Sequence, residues 1–236
     1  MTTASGTSKI QLLGSRRGSG VIADRRAFIL EHTRLQRPPH APELQLHLAD
    51  EVTPLWRLTE EALGELGLPP PFWAFAWAGG QALARYLLDT PEEVAGRAVL
   101  DFASGSGLVA IAAMRAGAAC ALAADIDPFA GEACGLNAAA NGVEVAFTGE
   151  DLLDGPVAGA DVVLAGDVSY EKPMADRVYA WLRRARDAGR RVLVGDPGRA
   201  YLPRAGLVRL AEYRVETSRE LEDAEVKRCA VWTLAD

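Results

Sequence analysis

The sequence predicts an α/β fold: a seven-stranded, mostly parallel sheet with helices on both faces, closed by an antiparallel C-terminal hairpin. Three observations predict it. From about residue 97 onward, short apolar runs alternate with stretches of helical period, as successive βαβ units require. Residues 99–111 read as an apolar strand, a tight turn of small residues and an apolar helix start. The last two apolar runs, 207–218 and 226–234, follow each other without a helix between them. Only antiparallel strands can be joined so directly.

In chain order, residues 1–22 are rich in Ser, Thr, Gly and Arg, carry no acid and read as a disordered tail; a mitochondrial presequence has a similar composition. Residues 23–36 predict an amphipathic helix that Arg37-Pro38-Pro39 ends. Leu44, Leu46 and Leu48 alternate with polar residues, as a short half-exposed strand would. Thr53-Pro54 opens a helix to about Leu66 with proline in its first turn. Pro69-Pro70-Pro71 closes this N-terminal helical extension, residues 23–70, and residues 71–236 form the main domain. An aromatic stretch from Phe72 to Trp77 leads into a helix near 80–89. Strands are then predicted near 97–102, 120–125, 143–147, 161–166 and 191–196, and helices near 108–117, 128–140 and 172–188.

Composition limits the function classes. The net charge is −7, but residues 1–40 carry +5, which leaves −12 on residues 41–236. A body so acidic lacks the basic face of a nucleic-acid binder and suits a small cofactor together with a basic protein segment. No apolar run reaches the roughly 20 residues of a membrane span. The three Cys (120, 134, 229) are widely spaced without a CxxC, and Cys120 and Cys134 read as reduced core residues. The three His (32, 40, 47) precede residue 50, which argues against a zinc site. Only three of 25 basic residues are Lys. With the abundance of Ala and Gly, this suggests a GC-rich bacterial chain, hence a cytoplasmic one; in a eukaryote the mitochondrial matrix is expected. The chain is read as a monomer.

The chemistry centres on the turn Asp101-Phe-Ala-Ser-Gly-Ser-Gly107. Gly105 and Gly107 let backbone approach a ligand where a Cβ would clash, and the helix that follows directs its free N–H groups there. Asp125 ends the next apolar run, where a βαβ nucleotide fold places a carboxylate on ribose hydroxyls. A dinucleotide pattern can be forced as Gly105-x-Gly107-x-x-Ala110, which is a weak match. Three features favour S-adenosyl-L-methionine: Asp101, able to reach a methionine ammonium; Asp151-Leu152 after the third strand, where adenine would lie; and Asp167-Val-Ser-Tyr170 after the fourth, toward which the methyl donor would point. In this reading Ile126 packs on adenine, Asp151 bonds its amino group with Asp154 as a competitor, and Leu152 covers the ring. Asp127-Pro128 starts the next helix as N-cap and first-turn proline.

On these motifs, together with Pro71-Phe-Trp-Ala-Phe-Ala-Trp-Ala-Gly-Gly80 and Asp125-Ile-Asp-Pro128, the chain resembles the Rossmann-like seven-β-strand methyltransferases. Within them it resembles the protein-lysine branch, and most of all the electron-transfer flavoprotein β-subunit lysine methyltransferases. Ribosomal-protein methyltransferases share the Asp125-Ile-Asp-Pro128 stretch but carry an Asn-Pro-Pro-type motif after strand four. The resemblance implies that Asp167 and Tyr170 clamp a substrate lysine, with Asp167 also near the cofactor, and that Trp77 walls the methionine end. Trp73, Phe72 and Phe75 are expected in the core or at the rim. For Asp167 the alternative is a cap on the next helix, and for Asp101 a strand-end cap. Glu171 is expected as a first-turn acid, and Asp196-Pro197-Gly198 as lining of the substrate entrance. Ala103 departs from the family, standing where the first glycine of Gly-x-Gly-x-Gly is usual. The implied acceptor is the electron-transfer flavoprotein β-subunit, with a ribosomal protein or a nicotinamide-like small amine as the alternative, and no metal is required.

Overall fold

Seven strands and four of the helices fall where the hydrophobic periods place them. The computed structural model describes residues 22, 24–49, 70–156, 159–217 and 224–235. The helix predicted from Thr53 lies outside the described residues. Helix α1 (Arg25–His32) is capped by Asp24, whose carboxylate accepts the Ala27 N–H. The helix predicted to residue 36 stops at His32. Residues 34–36 instead form strand β1 (Arg34–Gln36), antiparallel to β2 (Leu46–Leu48). Leu35, which extended the helical pattern, is exposed in that strand. Backbone pairing across the hairpin outweighed the local period.

A 3-10 turn (Phe72–Ala74) precedes α2 (Ala78–Asp89). The alternation that follows is β3 (Ala98–Phe102), α3 (Leu108–Arg115), β4 (Cys120–Ala124), α4 (Pro128–Ala140), β5 (Ala146–Thr148), β6 (Val162–Gly166), α5 (Lys172–Asp187) and β7 (Arg191–Asp196). The chain closes with β8 (Leu207–Glu216) and β9 (Val226–Leu234). The sheet order is β5-β4-β3-β6-β7-β9-β8; the first five strands are parallel, and β9 runs antiparallel to both its neighbours. Order reverses between β3 and β6, so the carboxyl ends of these strands flank the crevice where open α/β sheets bind ligands.

The two faces of the sheet bury alternate residues. Val99, Ala121, Val162, Leu164, Leu193 and Val231 pack under α2 and α3. Leu100, Val163, Ala165, Val192 and Val194 pack against Val178, Trp181 and Leu182 of α5. A strand buried on both faces reads as a continuous apolar run, which is why these strands were legible. The N-terminal hairpin is tied to this body. Asn137 of α4 accepts the His47 N–H at 2.6 Å and donates to the Ser106 carbonyl at 2.8 Å. One buried side chain thus joins β2, α4 and the glycine turn. All three cysteines are free thiols, but Cys120 is exposed rather than in the core, because it opens β4 at the strand's amino end.

Candidate active site

Three loops at the carboxyl ends of β3, β4 and β6 carry most of the residues singled out above, and a fourth, after β7, adds one that was not. The β3 loop is held by carboxylates from below. Asp101 is 1% exposed and accepts the Ala110 N–H at 2.9 Å in the first turn of α3. Burial, added to by the charge of Asp125, pushes its pKa up to about 7. Its bond is that of the strand-end cap. Asp125 accepts the Gly105 N–H at 2.8 Å and the Asp127 N–H at 2.9 Å, one on each oxygen. Each carboxylate oxygen offers two lone pairs, so both keep acceptor capacity. Burial raises the Asp125 pKa, and the two N–H bonds oppose that rise.

Gly107, at φ +78°, takes the left-handed conformation that favours glycine, and a Cβ there would lie 2.6 Å from the Cys134 sulfur. The need for glycine at 107 therefore includes packing of the turn on α4. Ala103 adopts φ 54° without being glycine, which keeps the turn of a glycine loop at some cost in strain. Asp127 caps α4 by accepting the Phe129 N–H at 2.8 Å, with Pro128 first in the helix, as expected. Ile126 stands 75% exposed between the two acids.

Beyond β5, Asp151 accepts the Leu153 N–H at 3.0 Å and pairs with Arg177 at 3.2 Å. These contacts hold its carboxyl below the usual range. Asp154 shares the same guanidinium at 3.3 Å. Leu152 is half-buried against the α5 face of the sheet.

At the end of β6, Asp167 is 8% exposed and has φ 58°. Its Oδ2 accepts the Gly80 N–H at 2.7 Å, and its Oδ1 accepts from Arg199 Nε at 2.9 Å and Nη2 at 2.6 Å. Glu171 is the N-cap of α5, one residue before its first turn, so it is not a first-turn acid, and its side chain makes no cap bond. Asp167 therefore faces α2 and the β7 loop rather than capping α5. The contact with Gly80 is possible because α2 starts on bare backbone. A Cβ on Gly79 would lie 2.4 Å from the Gly195 carbonyl oxygen, and one on Gly195 2.2 Å from that of Gly79.

Arg199 was not foreseen. Asp196, 1% exposed, accepts the N–H groups of Gly198 and Arg199 at 2.7 Å each, so it shapes this loop from within rather than lining an entrance. The Arg199 guanidinium lies 5.7 Å from the centroid of Trp77. Aromatic rings extend the wall: Trp77 meets Phe72 at 5.8 Å and Phe75 at 5.9 Å, and Phe72 meets Tyr170 at 5.6 Å. Phe72 and Tyr170 are each 46% exposed at the rim, and burial of its other side raises the Tyr170 phenol's pKa. Trp73 stacks on Phe129 in the core. The Gly79-Gly80 pair and Asp196-Pro-Gly-Arg199 are the only sequence signals that point to this arrangement. Among the described residues no His, Cys, Asp and Glu side chains gather in a group of three or more fit to hold a metal, and no helix is long and apolar enough to cross a membrane.

The family model for ribosomal protein L11 methyltransferase (PrmA) matches residues 82–168. The chain is 40% identical over 214 residues to the electron transfer flavoprotein beta subunit lysine methyltransferase of Xenopus laevis, covering 88% of this chain and 86% of that one. The protein of the same name in Homo sapiens is 37% identical over 225 residues, covering 92% and 85%. Among solved structures, magnesium protoporphyrin IX methyltransferase of Synechocystis PCC 6803 with bound SAM matches with a TM-score of 0.48 and 21% identity, over 66% of this chain and 81% of that one. With such identity over nearly the full length of both partners, the chain belongs to the electron transfer flavoprotein β-subunit lysine methyltransferase family.

Proposed function

We propose that the protein transfers methyl groups from S-adenosyl-L-methionine to lysine side chains of the electron-transfer flavoprotein β-subunit. The observation that carries this reading is the pair of acidic positions at the crevice, Asp125 bonded to Gly105 and Asp167 bonded to Gly80 and to Arg199, which lies over Trp77. They divide the site into a cofactor half and an acceptor half. The cofactor half fits its ligand. Asp125 keeps lone pairs for two ribose hydroxyls, Ile126 offers an exposed apolar surface to adenine, and the buried Ser104 hydroxyl has no hydrogen-bond partner among the described residues. Leu152 and Asp151 stand toward the adenine end, Trp77 and Ala103 toward the methionine end. Asp101, at the base of the same turn, takes the methionine ammonium directly or through water.

When bound, the cofactor supplies a methyl group on a positively charged sulfur. The work left to the chain is to bring a lysine amine to it, neutral and aligned. A lysine in water has a pKa of about 10.4, and a partly buried, aromatic-lined entry disfavours its charged form. Asp167 accepts an N–H of the amine and aims its lone pair, and Tyr170 and Phe72 narrow the mouth against water. Holding two reactants in line supplies up to about 7–11 kcal/mol of the barrier in favourable cases.

The acceptor reading follows the names of the relatives. A ribosomal protein is the second reading, favoured by the match to the L11 methyltransferase model. That match runs from residue 82 to residue 168, so it takes in Asp125 and Asp167 but leaves out Trp77, Tyr170 and Arg199. The test is purified β-subunit incubated with enzyme and methyl donor and read by mass spectrometry. Methyl-sized mass shifts on its lysines are expected. Methylation of a ribosomal protein instead, with the β-subunit untouched, would move the assignment.

For the cofactor half, Asp125→Ala removes two charge-assisted hydrogen bonds to the ligand, each worth about 1.5–3 kcal/mol, and releases the Gly105 and Asp127 amides. Calorimetry with S-adenosylhomocysteine is expected to show affinity reduced at least about tenfold in a protein that still folds. Unchanged affinity would take Asp125 out of the ribose role, and tight NADH binding by the wild type would overturn the cofactor.

A further inference from the structure

A carboxylate alone at the acceptor end is a poor device for methyl transfer. Negative charge beside an incoming lysine stabilises its ammonium form, which has no lone pair to react. Asp167 is not alone. Its Oδ1 takes two hydrogen bonds from Arg199, and the resulting ion pair has side chains only 19% and 9% exposed. Three contacts place that arginine. Asp196 turns the loop back by binding the Gly198 and Arg199 amides, Trp77 lies beneath the guanidinium, and Asp167 receives it. An arginine with its backbone and its side chain both fixed this way, at the one carboxylate assigned to the acceptor, is built into the site.

We propose that Arg199 is a positioning residue for methyl transfer: its guanidinium cancels the charge of Asp167, so that the lysine ε-amine meets an electrically neutral pair and reacts in its neutral form. This rests on the reading of the site as a lysine methyltransferase. On entry the ε-ammonium gives one proton to solvent. The nitrogen lone pair then forms the N–C bond, and the C–S electron pair stays on sulfur. The product is a methylammonium beside neutral S-adenosylhomocysteine, so charge and protons balance. Among the charged and titratable groups around the pair, Asp196 binds the Arg199 amide, and Tyr170 feels the charge of Arg199 together with those of Glu171 and Asp125. The start of α2 contributes Trp77, Gly79 and Gly80, which are uncharged.

The test is the pH profile of the single-turnover methyl-transfer rate at saturating β-subunit, which reports the amine's protonation in the complex. Arg199→Gln takes the guanidinium charge away from Asp167, and the midpoint is expected to rise by about one pH unit, a tenfold loss of rate on the rising limb. Arg199→Lys keeps the charge and is expected to keep the wild-type midpoint. Asp167→Asn takes the carboxylate charge away from the guanidinium and is expected to lower the midpoint on the rate that remains; this arm stands even if Arg199→Gln does not fold. Melting curves and S-adenosylhomocysteine affinity establish that each variant is folded and loaded. A uniform loss of rate with unmoved midpoints would make Arg199 merely structural and overturn the inference alone. A wild type that methylates no lysine of the β-subunit would overturn the parent reading and this inference with it.

Discussion

Asp167→Ala is expected to cut methyl transfer by about a hundredfold or more while S-adenosylhomocysteine affinity stays within about tenfold of the wild type. The reason lies in what the carboxylate holds. It receives the Gly80 amide on one side and the Arg199 guanidinium on the other, so it fixes the start of α2 and the β7 loop against each other. Its loss removes the group proposed to aim the amine and also frees the start of α2 and the β7 loop from each other. Displacement of a reacting group by about 1 Å is enough for a hundredfold effect. Stability should fall as well, by about 1–3 kcal/mol, because a buried amide and a half-enclosed guanidinium lose an acceptor. Asp125 and Gly105, proposed to hold the cofactor's ribose, belong to other loops and should keep their contact. Calorimetry, a melting curve and a single-turnover assay separate these contributions. If activity fell only as far as the folded fraction did, Asp167 would be a structural residue and the acceptor assignment would fail.

Most of the sheet was legible because its central strands are covered on both faces, so each reads as an unbroken apolar run between turn residues. The glycine turn and Asp125 were legible for a related reason: each directly follows an apolar strand, so its place at a strand's carboxyl end can be read from the run before it. Errors arose where a distant partner decided the outcome. Leu35 continued a helical period, yet residues 34–36 pair with 46–48. Glu171 looked like a first-turn acid, but the helix begins one residue later. Arg199 stood out only by its place after Asp196-Pro-Gly, in a chain with 22 Arg against 3 Lys. Its importance comes from Asp167, 32 residues earlier, and from Trp77. Gly107 was read for its approach to a ligand, and the structure adds a neighbour, Cys134, that lies 27 residues along the chain. Local residue types encode turns and caps, whereas the pairing of loops depends on strand order, which the residues of any single loop do not state.

The Gly79–Gly195 contact is the clearest case of such pairing and leads to the second large effect. Gly195→Ala would place a methyl group 2.2 Å from the Gly79 carbonyl oxygen, 2.8 Å from the Leu83 Cβ and 3.0 Å from the Gly79 carbonyl carbon. None of these is the far end of a flexible side chain. The first turn of α2 must therefore lift from β7, and overpacking of this kind costs about 1–3 kcal/mol. For a domain of this size that corresponds to a fall in melting temperature of roughly 2–4 °C per kcal/mol. Lifting α2 also withdraws the Gly80 amide from Asp167 and moves Trp77 from under Arg199. Methyl transfer should consequently drop by about a hundredfold, well beyond the loss of folded protein at the assay temperature. Gly135→Ala in α4 provides the contrast, since a Cβ there has nothing within 4 Å. In an unobstructed helix interior the same substitution is expected to stabilise by about 0.5–1 kcal/mol and to leave activity unchanged. Melting curves and rates for the two variants check both signs. A Gly195→Ala protein with wild-type melting and wild-type rate would mean that α2 does not rest on β7 as described, and that the acceptor end is not built on this backbone contact.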